Sequence, residues 1–146
     1  MARLIKKVIT ARRGNIHFDV RLREPVTAVL GNSGSGKTQL TAALLARQAG
    51  GSGESEQYAF IDWKLNENAA KVLVSLQHGK VIFIDNADIV LRDVPYWRKQ
   101  FEDDNSNQYI IFTRMPEKYG IHETGICEFI RQGSGKNITV SARYFD

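Results

Sequence analysis

The sequence predicts an α/β fold on a mostly parallel sheet, and three observations predict it. Short apolar runs, Val26–Leu30 (with Thr27 its one hydroxyl), residues 81–84 and residues 109–112, have the β-branched and aromatic character of strands buried on both faces. Stretches with apolar residues at helical spacing separate these runs. Each run ends in glycine or polar residues, at the strand end where ligands sit in doubly wound α/β proteins.

Taken in order, residues 4–11 and 16–23 read as two strands around a turn at Arg13-Gly14-Asn15. In the second strand Ile16, Phe18, Val20 and Leu22 alternate with His17, Asp19, Arg21 and Arg23. Glu24-Pro25 ends that ladder, since proline has no N–H to give. After Val26–Leu30, Leu40, Ala43, Leu44 and Arg47 mark a helix over residues 39–48, stopped by Gly50-Gly51. A Gly/Ser loop over 49–57 leads to a strand at 58–63. Asn66 caps a helix running to His78, with Val72, Leu73 and Leu76 facing inward and Gly79 ending it. The strand at 80–85 follows. Asp93 then caps a helix over 94–101, with Pro95 tolerated in its first turn. Residues 102–108 are a polar loop, 109–114 a buried strand and 115–125 irregular. Residues 126–131 and 137–145 form a closing hairpin around 132–136.

The chemistry is concentrated between Val26 and Thr38. Gly31-Asn32-Ser33-Gly34-Ser35-Gly36-Lys37-Thr38 satisfies G-x-x-x-x-G-K-[ST] at every specified position. Glycines let backbone N–H groups turn inward, and with the first helical turn they form a positive concavity for a polyphosphate. Lys37 adds a full charge near the β- and γ-phosphates, and the Thr38 hydroxyl is a Mg²⁺ ligand. Phosphate-binding candidates are therefore Gly31, Asn32, Ser33, Gly34, Ser35, Gly36, Lys37, Thr38 and Gln39. The second informative stretch is Val81-Ile82-Phe83-Ile84-Asp85, an apolar strand ending in a carboxylate. It lies 48 residues after Lys37, and Asp85 there is the second candidate metal ligand. A Gly-Ser-Gly-Lys at 133–136 is a decoy, because Ile130 and Asn137 stand where the motif needs Gly and Ser or Thr.

Length, composition and charge bound the rest. A chain of 146 residues, 42% hydrophobic and 25% charged, suits a single domain spanning 1–146. No apolar run has the length of a membrane span and no signal-peptide pattern opens the chain, so membrane insertion is not expected and a cytoplasmic setting is. Cys127 is the only cysteine and reads as a half-buried strand residue; His17, His78 and His122 lack metal-ligand spacing. Residues 1–25 carry seven basic side chains against two acidic ones. That excess is either a solvated, charge-protected strand face or a surface for nucleic acid.

The two motifs together resemble a P-loop NTPase of the additional-strand branch, the group that holds AAA+, ABC and RecA-like ATPases, over residues 26–114. The resemblance implies a three-layer fold with a central sheet in the order 5-1-4-3-2, flanked by N- and C-terminal β-hairpins. It implies bound ATP and Mg²⁺, and it places Thr113 at the γ-phosphate sensor position, with Arg114 next where ABC proteins usually have histidine. It also implies a second subunit, a homo-oligomer or a protein partner, that supplies charge in trans. Three features depart from the pattern. There is no Leu-Ser-Gly-Gly-Gln signature, no helical lid follows the sheet, and Asn86 stands where the catalytic Glu usually follows the Asp. An amide orients water but cannot take its proton, a loss of about 10²–10⁴ in rate. Asp88 is one short turn further on, with helix capping as its expected role.

The leading expectation is an ATP–Mg²⁺ binding switch with weak or partner-stimulated hydrolysis, using Lys37, Asn86 and Thr113 on the nucleotide. One alternative is a small-molecule phosphotransferase, with Asp62 closing the 58–63 strand as an acceptor-binding carboxylate. Another is a non-enzymatic module docking nucleic acid through Arg12, Arg13, Arg21 and Arg23. The absence of an Asn-Lys-x-Asp segment argues against guanine reading.

Overall fold

The computed structural model describes residues 3–31, 36–49, 57–62 and 64–145. Eight strands form one sheet: β1 (Val8–Arg13), β2 (Ile16–Arg21), β3 (Val26–Leu30), β4 (Tyr58–Ile61), β5 (Val81–Ile84), β6 (Gln108–Phe112), β7 (Ile126–Ser134) and β8 (Asn137–Tyr144). Their order across the sheet is β1-β2-β8-β7-β3-β6-β5-β4. The helices are α1 (Lys37–Ala49), α2 (Glu67–Ser75), α3 (Ala87–Val90) and α4 (Val94–Asp103), with 3₁₀ turns at Pro116–Tyr119 and Glu123–Gly125.

This architecture corrects the expected three-layer fold with its mostly parallel sheet. The chain is a curled, mixed eight-stranded sheet, a half-barrel with few helices. The overturning feature is the fate of the two hairpins. They are not appendages: β2 pairs with β8 in parallel, Phe18 opposite Val140, so both hairpins join one continuous sheet. Only the first three residues of β7 pair with β3, from Ala28↔Ile126 to Leu30↔Glu128. The remainder of β7 runs on past the end of β3 and takes β8, β2 and β1 with it. Strand twist accumulates along this ribbon and bends it. On the concave face, Ile9, Phe18, Val20 and Val140 of the ribbon pack in one core with Leu40 and Leu44 of α1 and with Val29, Phe83 and Phe112. Curling strands around a single helix thus take the place of a helical layer.

On the other face α2, α3 and α4 cover Ala28, Ile82, Ile84, Tyr109 and Ile111 with Val74, Val90, Trp97 and Phe101. The two cores divide β5 and β6 by the strand period of two, Ile82 and Ile84 facing one and Val81 and Phe83 the other. The capping expectations are met: Asn66 accepts from Ala69 N at 2.8 Å and Asp93 from Tyr96 N at 3.4 Å. The inward face of α2 is corrected. Ala70 and Val74 are buried, whereas Val72 and Leu76 are 58% and 71% exposed, because the helix ends at Ser75 and turns a narrower stripe to the sheet. Cys127 is fully buried rather than half-buried, and burial pushes its thiol pKa up to about 12. The closing hairpin is tighter than expected, its strands running to Ser134 and from Asn137. A Cβ at Gly133, where φ is +96°, would collide with the Asn137 carbonyl.

Two buried amides fasten the amino-terminal edge of the sheet. Gln108 accepts from Ile5 N and Lys6 N at 2.7 Å and donates to Lys6 O at 2.9 Å. Asn107 accepts from Lys80 N at 3.0 Å and donates to Gln77 O and to Asp104, each at 2.9 Å. Burial alone would raise the Asp104 pKa, but hydrogen bonds from Tyr109, Asn107 and Ser106 outweigh it and hold it below the usual value. Replacing Gln108 by Leu orphans three backbone groups; the expected cost is about 1–3 kcal/mol, read as a fall of roughly 3–10 °C in melting temperature. Asp104 has a depressed folded-state pKa, so its contribution is present above the unfolded value of about 3.9 and is lost as pH falls through the folded one. Urea midpoints of wild type and Asp104→Asn should therefore differ at about pH 7 and converge as pH falls below the unfolded value of about 3.9.

Candidate functional site

The carboxyl ends of three adjacent parallel strands meet at one edge. Val29 of β3 is opposite Phe112 of β6, and Ile84 of β5 is opposite Ile111. This register brings Gly31, Asp85 and Thr113, from three distant parts of the chain, to one cavity of about 430 Å³. Its lining comprises Gly31, Lys37, Thr38, Asp85, Asn86 and Asp88, with Ile89, Phe112, Thr113 and Arg114. Of the expected phosphate-binding residues, Asn32, Ser33, Gly34 and Ser35 lie outside the described residues. Gly36 is buried against Phe18 and Val140; a Cβ there would stand 3.5 and 3.4 Å from them, and φ is +106°. Gln39 sits half-buried on α1 and does not line the cavity.

Helix α1 begins at Lys37, two residues before the expected start, so Lys37 and Thr38 belong to its first turn. That turn holds no acidic side chain, and the positive end of the helix dipole is left uncompensated by its own residues. Lys37 Nζ donates to Gly31 O at 2.9 Å and stands 5.6 Å from the Phe112 ring centre. The hydrogen bond ties the ammonium to the end of β3. Burial is the main cause that lowers the Lys37 pKa; Asp85 and Asp88 oppose it and the Arg114 guanidinium adds to it. Two cationic side chains, the amino end of a 13-residue helix and Gly31 therefore converge on one cavity.

The acidic side is arranged differently. Asp85 Oδ1 accepts from Asn86 N at 2.9 Å, and its other oxygen takes no hydrogen bond from a described residue. Asn86 is the only non-glycine described residue with positive φ, at φ 50° and ψ 49°. Asparagine tolerates this left-handed conformation better than glutamate does. Here the backbone gives an independent reason for the amide at the position after Asp85. Among the described residues no three His, Cys, Asp or Glu side chains gather into a metal site. Mg²⁺ does not need one, since it commonly takes one or two protein oxygens and completes its shell with water and phosphate. The Asp85 carboxylate and the Thr38 hydroxyl, both on this cavity, are a donor set of that kind.

Asp88 is not a helix cap. It sits inside α3, accepts from Thr113 Oγ1 at 2.5 Å and Arg114 N at 2.9 Å, and takes the Tyr119 hydroxyl at 3.2 Å. Thr113 is buried, and its oxygen in turn accepts from Met115 N at 3.0 Å. One carboxylate thus pins the turn that follows β6 and sets where Arg114 emerges. Burial and the adjacent Asp88 charge both raise the Tyr119 pKa, so the phenol stays a proton donor. Sequence reading missed Tyr119, which lies in the stretch taken as irregular, and Phe112, which reads only as strand core. The Asp85-x-x-Asp88 spacing was visible, but a partner 25 residues away was not.

Other candidates lie elsewhere. Asp62 directly follows β4, is exposed, accepts from Lys64 N at 2.9 Å and does not line the cavity. Arg12 donates to Gly14 O, Arg21 pairs with Asp19 at 3.7 Å, and the Arg23 guanidinium lies over the Tyr144 ring at 4.1 Å. No helix among the described residues is long and apolar enough to cross a membrane.

No family model matches the chain, and neither a curated protein nor a solved structure matches it significantly. Asp88→Ala should leave the Thr113 hydroxyl and Arg114 N without their acceptor. The expected loss is about 2–3 kcal/mol, measured as a lower urea midpoint with an unchanged slope.

Proposed function

We propose that the protein binds a magnesium nucleoside triphosphate, ATP by expectation, and serves as a nucleotide-dependent switch with weak or partner-stimulated hydrolysis. One observation carries this reading: Gly31, Lys37 and Thr38 line the same cavity as Asp85 and Arg114, at the end of parallel strands. Those groups divide by charge as the ligand requires. Lys37, the α1 amino end and Arg114 favour phosphate oxygens, while Asp85 with the Thr38 hydroxyl suits a phosphate-bound divalent cation. Asp85 and Thr38 would hold such a cation, which when bound would supply positive charge to the phosphate groups.

Slow turnover follows from the residues near that metal. Asn86 orients water but accepts no proton, and Asp88 has its oxygens engaged by Thr113, Arg114 and Tyr119. Thr113 acts on the nucleotide indirectly, through Asp88, because its hydroxyl is committed there. Arg114 is the cis cation closest in chain to that latch, and a partner or second copy would add what the site lacks.

Mg-ATP at about 100 times its dissociation constant should raise stability by roughly 2.7 kcal/mol, a melting shift on the order of 5–10 °C. Lys37→Ala should abolish the shift, and Asp85→Ala should remove its dependence on Mg²⁺. Turnover by the chain alone should lie far below about 10 s⁻¹. Asn86→Glu should raise it while costing about 1–2 kcal/mol of stability for the left-handed backbone. An unmoved melting point with every nucleoside triphosphate defeats the reading.

A further inference from the structure

A second cavity, of about 270 Å³, opens between the β2–β3 connection, α4 and the segment that holds Tyr119. Pro25, Val26, Phe101, Tyr119 and Ile121 line it, a mostly apolar set. Charges of both signs stand around them: Glu24 and Glu102 are acidic and Arg98 is cationic, with the His122 side chain beside them. The rim is positioned rather than loose. Arg98 donates to Lys118 O at 3.4 Å and lies against Gly120, where an added Cβ would stand 3.3 Å from the guanidinium. Thr124 Oγ1 is 2.5 Å from Glu24 Oε1 and 2.7 Å from His122 Nδ1. Glu102 has no hydrogen bond or ion pair with a described residue and is exposed.

Size and charge narrow the occupant. Drug-sized ligands take about 300–1,000 Å³, so this cavity suits something smaller. The interior calls for an apolar body, and the rim for one cation and one anion close together. An α-amino acid with an aromatic or branched apolar side chain has those three parts: the guanidinium meets its carboxylate and a rim carboxylate its ammonium. We propose that this cavity is a binding site for a free apolar α-amino acid, and that it is linked to the phosphate cavity.

The link is Tyr119. Tyr119 lines the second cavity, and its hydroxyl lies 3.2 Å from Asp88 Oδ1 and 3.2 Å from Ala87 O. Asp88 lines the first cavity and holds Thr113 and Arg114 there. Any displacement of the ring by a ligand acts on the carboxylate that sets the Arg114 turn, so occupancy of one site changes affinity at the other. Coupling of this kind is reciprocal. The amino-acid site stands by itself; its coupling rests on the nucleotide reading.

L-phenylalanine is the probe, with 3-phenylpropionate and phenethylamine as controls that each lack one charge. Titration of the full chain followed by amide NMR should move Arg98, Phe101, Tyr119 and Ile121. Each control should bind about threefold or more weakly, as loss of one rim ion pair requires. Glu102→Lys, a surface change that leaves the fold intact, should weaken L-phenylalanine by a similar factor and leave 3-phenylpropionate unaffected or improved. L-phenylalanine should change the Mg-ATP dissociation constant several-fold, and Tyr119→Phe, which removes the hydroxyl that reaches Asp88, should abolish that change. No shifts up to about 20 mM L-phenylalanine, a concentration twentyfold above a 1 mM dissociation constant, overturn the site, whatever Mg-ATP does. Binding of both ligands without mutual effect overturns the coupling. Amino-acid binding without Mg-ATP binding upholds the site, overturns the coupling and removes the nucleotide reading.

Discussion

The parallel register of β5, β6 and β3 is the constraint on which the rest of the molecule depends. Pairing Ile84 with Ile111 and Phe112 with Val29 makes three strands end nearly level. Parallel strands all present their carboxyl ends on the same side, and the loops after them must then converge. Gly31, Asp85 and Thr113 are neighbours for that reason alone. The strands that hold them are among the most buried in the chain, so every β5 and β6 residue is inaccessible and the edge they present cannot drift. A site placed on strand ends inherits the rigidity of the core beneath it.

The same register governs the curl. Because β3 stops at Leu30, β7 can pair with it over three residues only, and the longer ribbon must find other support. It finds α1. Phe18 and Val140 close over Gly36 from one side, while Leu40 and Leu44 anchor the helix from below. The amino end of α1 is consequently fixed between a strand edge and a curled ribbon. A helix held only by a loop could not aim its dipole so reproducibly. The curl is thus part of how the cavity at the strand ends is built, and the basic strands at the N-terminus contribute through their inward residues, Ile9, Phe18 and Val20.

The region around Asp88 shows how far residue patterns carry and where they stop. The run ending at Asp85 was legible because a fully buried strand writes itself as unbroken apolar sequence. Asn66 and Asp93 were legible as caps because capping is local and its partners lie three residues away. Asp88 has the same composition as a cap and a different role, since its partners come from Thr113, Arg114 and Tyr119. Nothing within a few residues of Asp88 distinguishes the two cases. The exposure of Val72 and Leu76 teaches the same point: apolar residues at helical spacing name a stripe, but the neighbouring elements decide which part of it is covered.

By itself the sequence determined what short-range physics determines. It placed the strands and three of the four helices to within a few residues, the carboxylate that follows β5 and the caps, because each is written in adjacent side chains and their spacing. Tertiary structure alone decided that two hairpins merge into one curled sheet, that Asp88 latches the turn after β6, and that Tyr119 stands between two cavities. Those outcomes hang on hydrogen bonds and packing between residues 25 to more than 100 positions apart. Pairings at such separations are chosen by the energy of the whole assembly, and no local pattern encodes the choice.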